Sequence, residues 1–130
     1  SGKVIVYSYS DGKLKELQSI AADNANARGG ADIHVSPDGM FVYTSTRLKG
    51  DGITIFRVGN KGTLTRVGAQ LTGKHPRNFA ITPNGNFLLV ACRDDNSIQV
   101  YSRDKDTGLL KNTHQDIVLS HPVCVKFYPE

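Results

Sequence analysis

The chain has 130 residues, 38% of them hydrophobic and 22% charged, the make-up of one ordinary soluble domain. No apolar stretch approaches the roughly 20 residues that a membrane-spanning helix requires, so no membrane partner is expected. A net charge of +4 is spread rather than clustered, which suits small anionic ligands and argues against nucleic acid as a partner.

In chain order, Lys3 to Ser10 (KVIVYSYS) is rich in β-branched and aromatic residues and predicts a strand. Asp11-Gly12 is a hairpin turn, and Leu14 to Ile20 is the returning strand. Residues 21–30 (AADNANARGG) are small and polar and predict a loop, with two glycines freeing the backbone for a sharp start to the next strand. Asp32 to Ser36, Phe41 to Thr46, Ile53 to Val58 and Leu64 to Leu71 then read as four strands, separated by Pro-Asp-Gly and Gly-Asn-Lys-Gly turns. Four more follow: Asn78 to Thr82, Phe87 to Cys92, Ile98 to Ser102 and Leu110 to Val118. Val123 to Tyr128 reads as a last, lone strand. Cys92 and Cys124 sit in apolar, strand-like surroundings without metal-ligand spacing and predict buried, reduced thiols.

The chain repeats itself. Ser36-Pro37-Asp38-Gly39 returns as Thr82-Pro83-Asn84-Gly85, Phe41 as Phe87 and Arg47 as Arg93, each pair 46 residues apart. A third echo aligns Val35, Ile81 and Phe127, and Pro37, Pro83 and Pro129. Four strands in a repeat of ~45 residues, with no helical periodicity between repeats, is the pattern of a β-propeller blade. Strands such as FVYTST and FLLVAC are apolar on both faces, as a sheet sandwiched between two others requires.

The predicted fold class is therefore all-β, a partial propeller of about two and a half four-stranded blades. Residues 1–30 form the second half of a blade, 31–75 and 76–122 two full blades, and 123–130 a closing inner strand. Exposed blade faces are expected at both ends. The expectation is a C-terminal portion whose last strand completes a blade begun by N-terminal blades outside this chain.

Several runs carry a family resemblance: ADIHVSPDG at 31–39 followed by Tyr43, Ser45-x-Arg47, Ile53-x-Ile55-Phe56, Pro76 to Ile81 (PRNFAI), and Pro122 to Phe127 (PVCVKF). Together they closely resemble the lactonase family of seven-bladed β-propellers, from about Lys3 to Tyr128. Thr46 and Cys92 depart from it, since relatives often carry Asn before that arginine. The absence of tryptophan sets aside the Trp-Asp propeller repeats. The resemblance implies a cytoplasmic, cofactor-free and metal-independent hydrolysis of 6-phosphogluconolactone, with the isolated piece inactive. Two other readings stay open: a lactone-forming cycloisomerase acting on carboxymuconates, and a non-catalytic binding platform.

Opening a phosphosugar lactone with water needs a base, donors for an oxyanion and cations for the phosphate. By strand alternation, Asp32, His34, Asn78 and Lys126 are expected to share the channel side of the inner strands, and Ile33, Val35, Phe79, Ile81, Val125 and Phe127 to pack the blade. His34 is the candidate general base, because an imidazole titrates near neutrality; a structural histidine bonded to a neighbouring blade is the alternative. Arg77, aimed by Pro76, is the second catalytic candidate. Arg47, Asn78 and Lys126 are candidate substrate ligands. Asp32, two residues from His34 on one strand, is not expected to meet it well. His75 and His121 share a repeat position, which favours loop shaping, and Asp38 and Asp106 read as turn residues. No metal site is expected.

Overall fold

The structure is a computed structural model that describes residues 1–128; the echo at Pro129 lies outside them. Among the described residues, eleven strands form three antiparallel sheets. The first pairs β1 (Lys3–Ser10) with β2 (Lys13–Ala21) through an Asp11-Gly12 turn whose residues both take positive φ, 50° and 74°, the type I′ geometry that matches strand twist. The second runs in the order β3 (Gly30–Val35), β4 (Phe41–Thr46), β5 (Gly52–Val58), β6 (Leu64–Leu71). The third runs β7 (Pro76–Ile81), β8 (Phe87–Cys92), β9 (Ser97–Arg103), β10 (Leu110–Asn112), with β11 (Ile117–Val118) also on β9. This is a partial, unclosed β-propeller.

The repeat holds at the level of atoms. In one turn the Phe41 N–H donates to Ser36 Oγ and the Met40 N–H to Asp38 Oδ1; in the other, Phe87 N–H donates to Thr82 Oγ1 and Asn86 N–H to Asn84 Oδ1. Gly39 and Gly85 share a φ of 72°. β4 is buried at all six residues, and its Phe41 and Tyr43 join Ile53, Ile55, Phe79, Leu88 and Val90 in a core between the second and third sheets. A smaller cluster (Val4, Ala22, Val42, Phe56, Leu64) joins the hairpin to the second sheet, and Gln18 straps it there by a two-way amide bond to the Leu64 backbone.

Two expectations change, for the strand at Leu110 to Val118 and for Cys124. The strand expected over Leu110 to Val118 breaks at Thr113, where His114 turns with φ 56°, and resumes as β11. Val123 to Tyr128, expected to complete a blade outside this chain, has no ladder partner among the described residues, and its Val125 N–H donates to the Asn78 side chain. Cys124 is exposed while Cys92 is buried, and burial pushes the Cys92 thiol up to about 12. Apolar side chains lie open at both ends: Tyr9 and Leu14 on the hairpin, and Val118 and Tyr128 near the other limit.

Asp38 is more than a turn residue. Arg103, its side chain wholly buried, donates Nη2–H to Asp38 Oδ2 at 2.8 Å, Nη1–H to the Gly85 carbonyl at 3.0 Å and Nε–H to Tyr43 Oη at 2.8 Å. The Tyr43 hydroxyl in turn donates to the Gly108 carbonyl at 2.6 Å, and the guanidinium lies against the Phe41 and Tyr43 rings. A buried cation is tolerable only when its donors are matched in this way. Against a burial penalty that would raise it, hydrogen bonds from Ser36, Arg103 and Met40 hold the Asp38 carboxyl at about 2.

Arg103→Met strands Asp38 and two further acceptors. It is expected to cost about 3 kcal/mol in denaturant unfolding, the low end for a broken buried pair because Asp38 keeps some solvent. Asp38 also sets an acid limb. Its folded pKa lies below its ordinary 3.8, so its contribution is complete above 3.8 and is lost as pH falls towards about 2. Asp38→Asn should flatten that limb of a stability–pH curve.

Candidate functional site

The site grows from the start of β3. The chain reaches it through Gly29, whose carbonyl accepts the Arg47 N–H. A β-carbon at Gly29 would lie 2.0 Å from the Arg47 carbonyl oxygen, so only glycine permits the approach. The pairing of β3 with β4 slips between Gly30 and Ile33, and in that irregularity the Asp32 N–H donates to Ser45 Oγ at 3.1 Å. Asp32 is thereby set with its carboxylate towards the third sheet.

That carboxylate is crowded with donors. Oδ1 accepts from the Ile33 N–H at 2.9 Å, and Oδ2 accepts from Asn78 Nδ2–H at 2.6 Å and the Phe79 N–H at 3.1 Å. His34 Nε2 is 3.0 Å from the same Oδ2, so the Asp32–His34 contact expected to fail is made. Same-face neighbours two residues apart can close this gap when the carboxylate is already pulled across by a third partner, here β7. Against a carboxylate oxygen, Nε2 is the donor and the Nδ1 lone pair is left free. The ring meets Phe79 edge-on, centroids 4.8 Å apart.

Asn78 repeats the Asp32 contact one blade later: its Oδ1 accepts the Val125 N–H at 2.7 Å. In both cases a side-chain oxygen near the start of an inner strand binds the N–H found 47 residues on. His34, Pro37, Ala80, Val125 and Lys126 line a cleft of about 190 Å³. On β7 the expected division holds, with Phe79 and Ile81 packed into the core, but on β3 it does not. Ile33 and Val35 are exposed, 54% and 59% open, whereas Asp32 and His34 are half-buried against β7. An inner strand is the edge of its sheet, so it turns its rim to the axis and its two faces to neighbouring sheets.

Arg77 is exposed beside Asn78, where the β7–β8 pairing skips a residue, and makes no hydrogen bond or ion pair among the described residues. Arg47 follows β4, and its Nη1–H points at His75 Nε2, 3.1 Å away. His75 and His121 both hold left-handed backbone, φ 59° and 45°, in keeping with loop shaping. His34 and Asn78 thus meet at Asp32, Lys126 shares the cleft of His34, Arg77 adjoins Asn78 in sequence, and Arg47 is tied to a buried histidine. The sequence reading undervalued Asp32 and His75. The signal for Asp32 was present, since Asp32 and Asn78 are the two side-chain acceptors of one 46-residue column. Among the described residues no three of His, Cys, Asp and Glu converge as a metal ion would require, and no helix is long and apolar enough to cross a membrane.

A family model for a seven-bladed β-propeller lactonase matches residues 1–127. The chain is 43% identical over 92% of its length to a 6-phosphogluconolactonase of Formosa agariphila, and 33% identical over 98% to one of Bacillus subtilis, covering 35% and 38% of those proteins. Among solved structures, a Bacteroides fragilis protein proposed to be a 6-phosphogluconolactonase superposes with a TM-score of 0.96 at 58% identity, covering 98% of this chain and 36% of that one. A periplasmic gluconolactonase of Pseudomonas aeruginosa superposes at 0.90 with 29% identity, covering 99% and 37%. The chain therefore spans little more than a third of the proteins it matches.

Asp32→Ala removes the acceptor for the Phe79 and Asn78 donors together. Unfolding by urea should show a loss of about 2–4 kcal/mol, the sum of an orphaned backbone N–H and a lost charge-assisted bond.

Proposed function

Because the chain belongs to the lactonase family of seven-bladed β-propellers, we propose that the protein built on these blades hydrolyses 6-phosphogluconolactone to 6-phosphogluconate. The observation that carries this is the 43% identity to a 6-phosphogluconolactonase across nearly the whole chain. Hub residues of the right chemistry support it.

In this mechanism Asp32 fixes His34 with Nε2 as donor, leaving Nδ1 to take a proton from water. The water oxygen attacks the lactone carbonyl carbon. Arg77, unpaired at the rim, and the second Nδ2–H of Asn78 donate to the oxygen that gains charge. As the tetrahedral intermediate collapses, the ring C–O bond breaks and His34 returns its proton to the departing ring oxygen, giving a hydroxyl and a carboxylic acid that loses its proton to solvent. Lys126, which lines the same cleft as His34, and Arg47 serve the phosphate. No metal takes part. The remaining blades of the ring supply the rest of the channel wall, so these 130 residues alone should not turn over usefully. We place the activity in the cytoplasm, because a charged phosphosugar does not cross a bilayer unaided and its hydrolase must share its side.

His34→Gln in the full-length protein is expected to lower kcat for 6-phosphogluconolactone by about 10²–10⁴ while KM moves by only a few-fold. Activity within a factor of a few of wild type would remove His34 as the base. Comparing the lactone with unphosphorylated gluconolactone tests the cations: the phosphorylated substrate should be preferred through KM. A full-length protein inert to both would instead be a binding platform.

A further inference from the structure

Arg47, assigned above to the phosphate, is held from one side. Its Nη1–H points at His75 Nε2 at 3.1 Å. A guanidinium has no lone pair and keeps its proton, so Nε2 is the acceptor and is unprotonated. The ring then carries its proton on Nδ1, which faces Asp94 Oδ2 at 3.6 Å. His75 is buried, its backbone is left-handed, and its carbonyl accepts the Arg93 N–H at 3.1 Å, so the ring is fixed from several directions. Arg47 Nε is shielded from solvent and has no acceptor among the described residues. The repeat mates differ: Arg93 bonds Asp94 at 2.7 Å, and the exposed His121 meets Ser120. Among the described residues, the Arg47–His75 pair is thus found at one of the two blade junctions compared.

From this geometry we infer that His75 is a positioning residue for Arg47: its unprotonated Nε2 aims the guanidinium at the anionic end of the substrate, and protonating the ring turns that acceptor into a donor and releases the arginine. The inference rests on the reading of Arg47 as a substrate ligand. The groups facing the ring are Arg47 at the end of β4, Asp51 before β5, and Arg93 and Asp94 after β8, with Lys74 next to it in the chain. Burial first, then the charges of Arg93 and Arg47, lower its pKa below the ordinary 6.5, with Asp94 and Asp51 opposing. The release therefore falls on the acid side of that value.

Sulfate keeps its charge through this range and serves as the probe, as an inhibitor of the full-length protein. The wild-type inhibition constant should rise about tenfold between roughly pH 7.5 and pH 5, the worth of one charge-assisted bond. His75→Gln keeps an acceptor that does not titrate; it should hold the wild-type value at the higher pH within about twofold and lose the tenfold rise. His75→Phe should bind sulfate weakly at both. The nitrogen signals of His75 in the wild-type protein should report the Nδ1–H tautomer at neutral pH, a readout that survives if the variants fail to fold. An Nε2–H tautomer, or the same pH profile in wild type and His75→Gln, overturns the inference. Arg47→Gln separates the two claims: undiminished sulfate affinity there removes Arg47 as a ligand and this inference with it, whereas weakened affinity with unaltered His75 profiles removes this inference alone.

Discussion

The arrangement depends on one contact made twice: a side-chain oxygen near the start of an inner strand binding a backbone N–H of the next inner strand. Asp32 does this to Phe79, and Asn78 to Val125. Inner strands are sheet edges, and their N–H groups need acceptors that no neighbouring strand supplies. The pin satisfies one of them and sets the spacing of adjacent sheets at the hub. Because Asp32 is both the pin and the partner of His34, the geometry proposed for catalysis is fixed by the same atoms that hold two blades together.

Further from the hub, Arg103 performs the matching task. Its three donor directions reach the turn after β3, the turn after β7 and the Tyr43 hydroxyl, so a single buried cation ties together loops from two sheets. Apolar packing between β4 and β8 supplies the non-directional attraction. These polar ties choose one register among the many that such packing alone would allow.

The architecture was legible in the sequence because it is periodic. Pro-Asp-Gly and Pro-Asn-Gly announce the same turn, FVYTST and FLLVAC announce doubly buried strands, and the 46-residue spacing orders them. What escaped is what periodicity does not encode. Inner strands resemble half-solvated strands in their alternation, so Asp32 and His34 were expected on a channel face rather than against β7. The Asp32–His34 bond looks unfavourable on one strand and becomes favourable only when Asn78 and Phe79 arrive from 46 and 47 residues away. Asp38 reads as a turn acid because Arg103, its partner, is 65 residues distant. Leu110 to Val118 is apolar enough for one strand, yet the turn at His114 divides it, and Cys124 lies open because no sheet covers its face among the described residues.

The Gly29 and His75 carbonyls accept the N–H groups of Arg47 and Arg93 in equivalent bonds, although the accepting residues are unrelated in kind. The shape of the junction is written in the main chain, and the residue identity there is left at liberty. A duplicated module built in this manner can keep its form while each copy drifts towards a separate duty: one arginine turns to an imidazole, its sibling to a carboxylate. Diversification of such a ring then proceeds copy by copy, without renegotiating the scaffold.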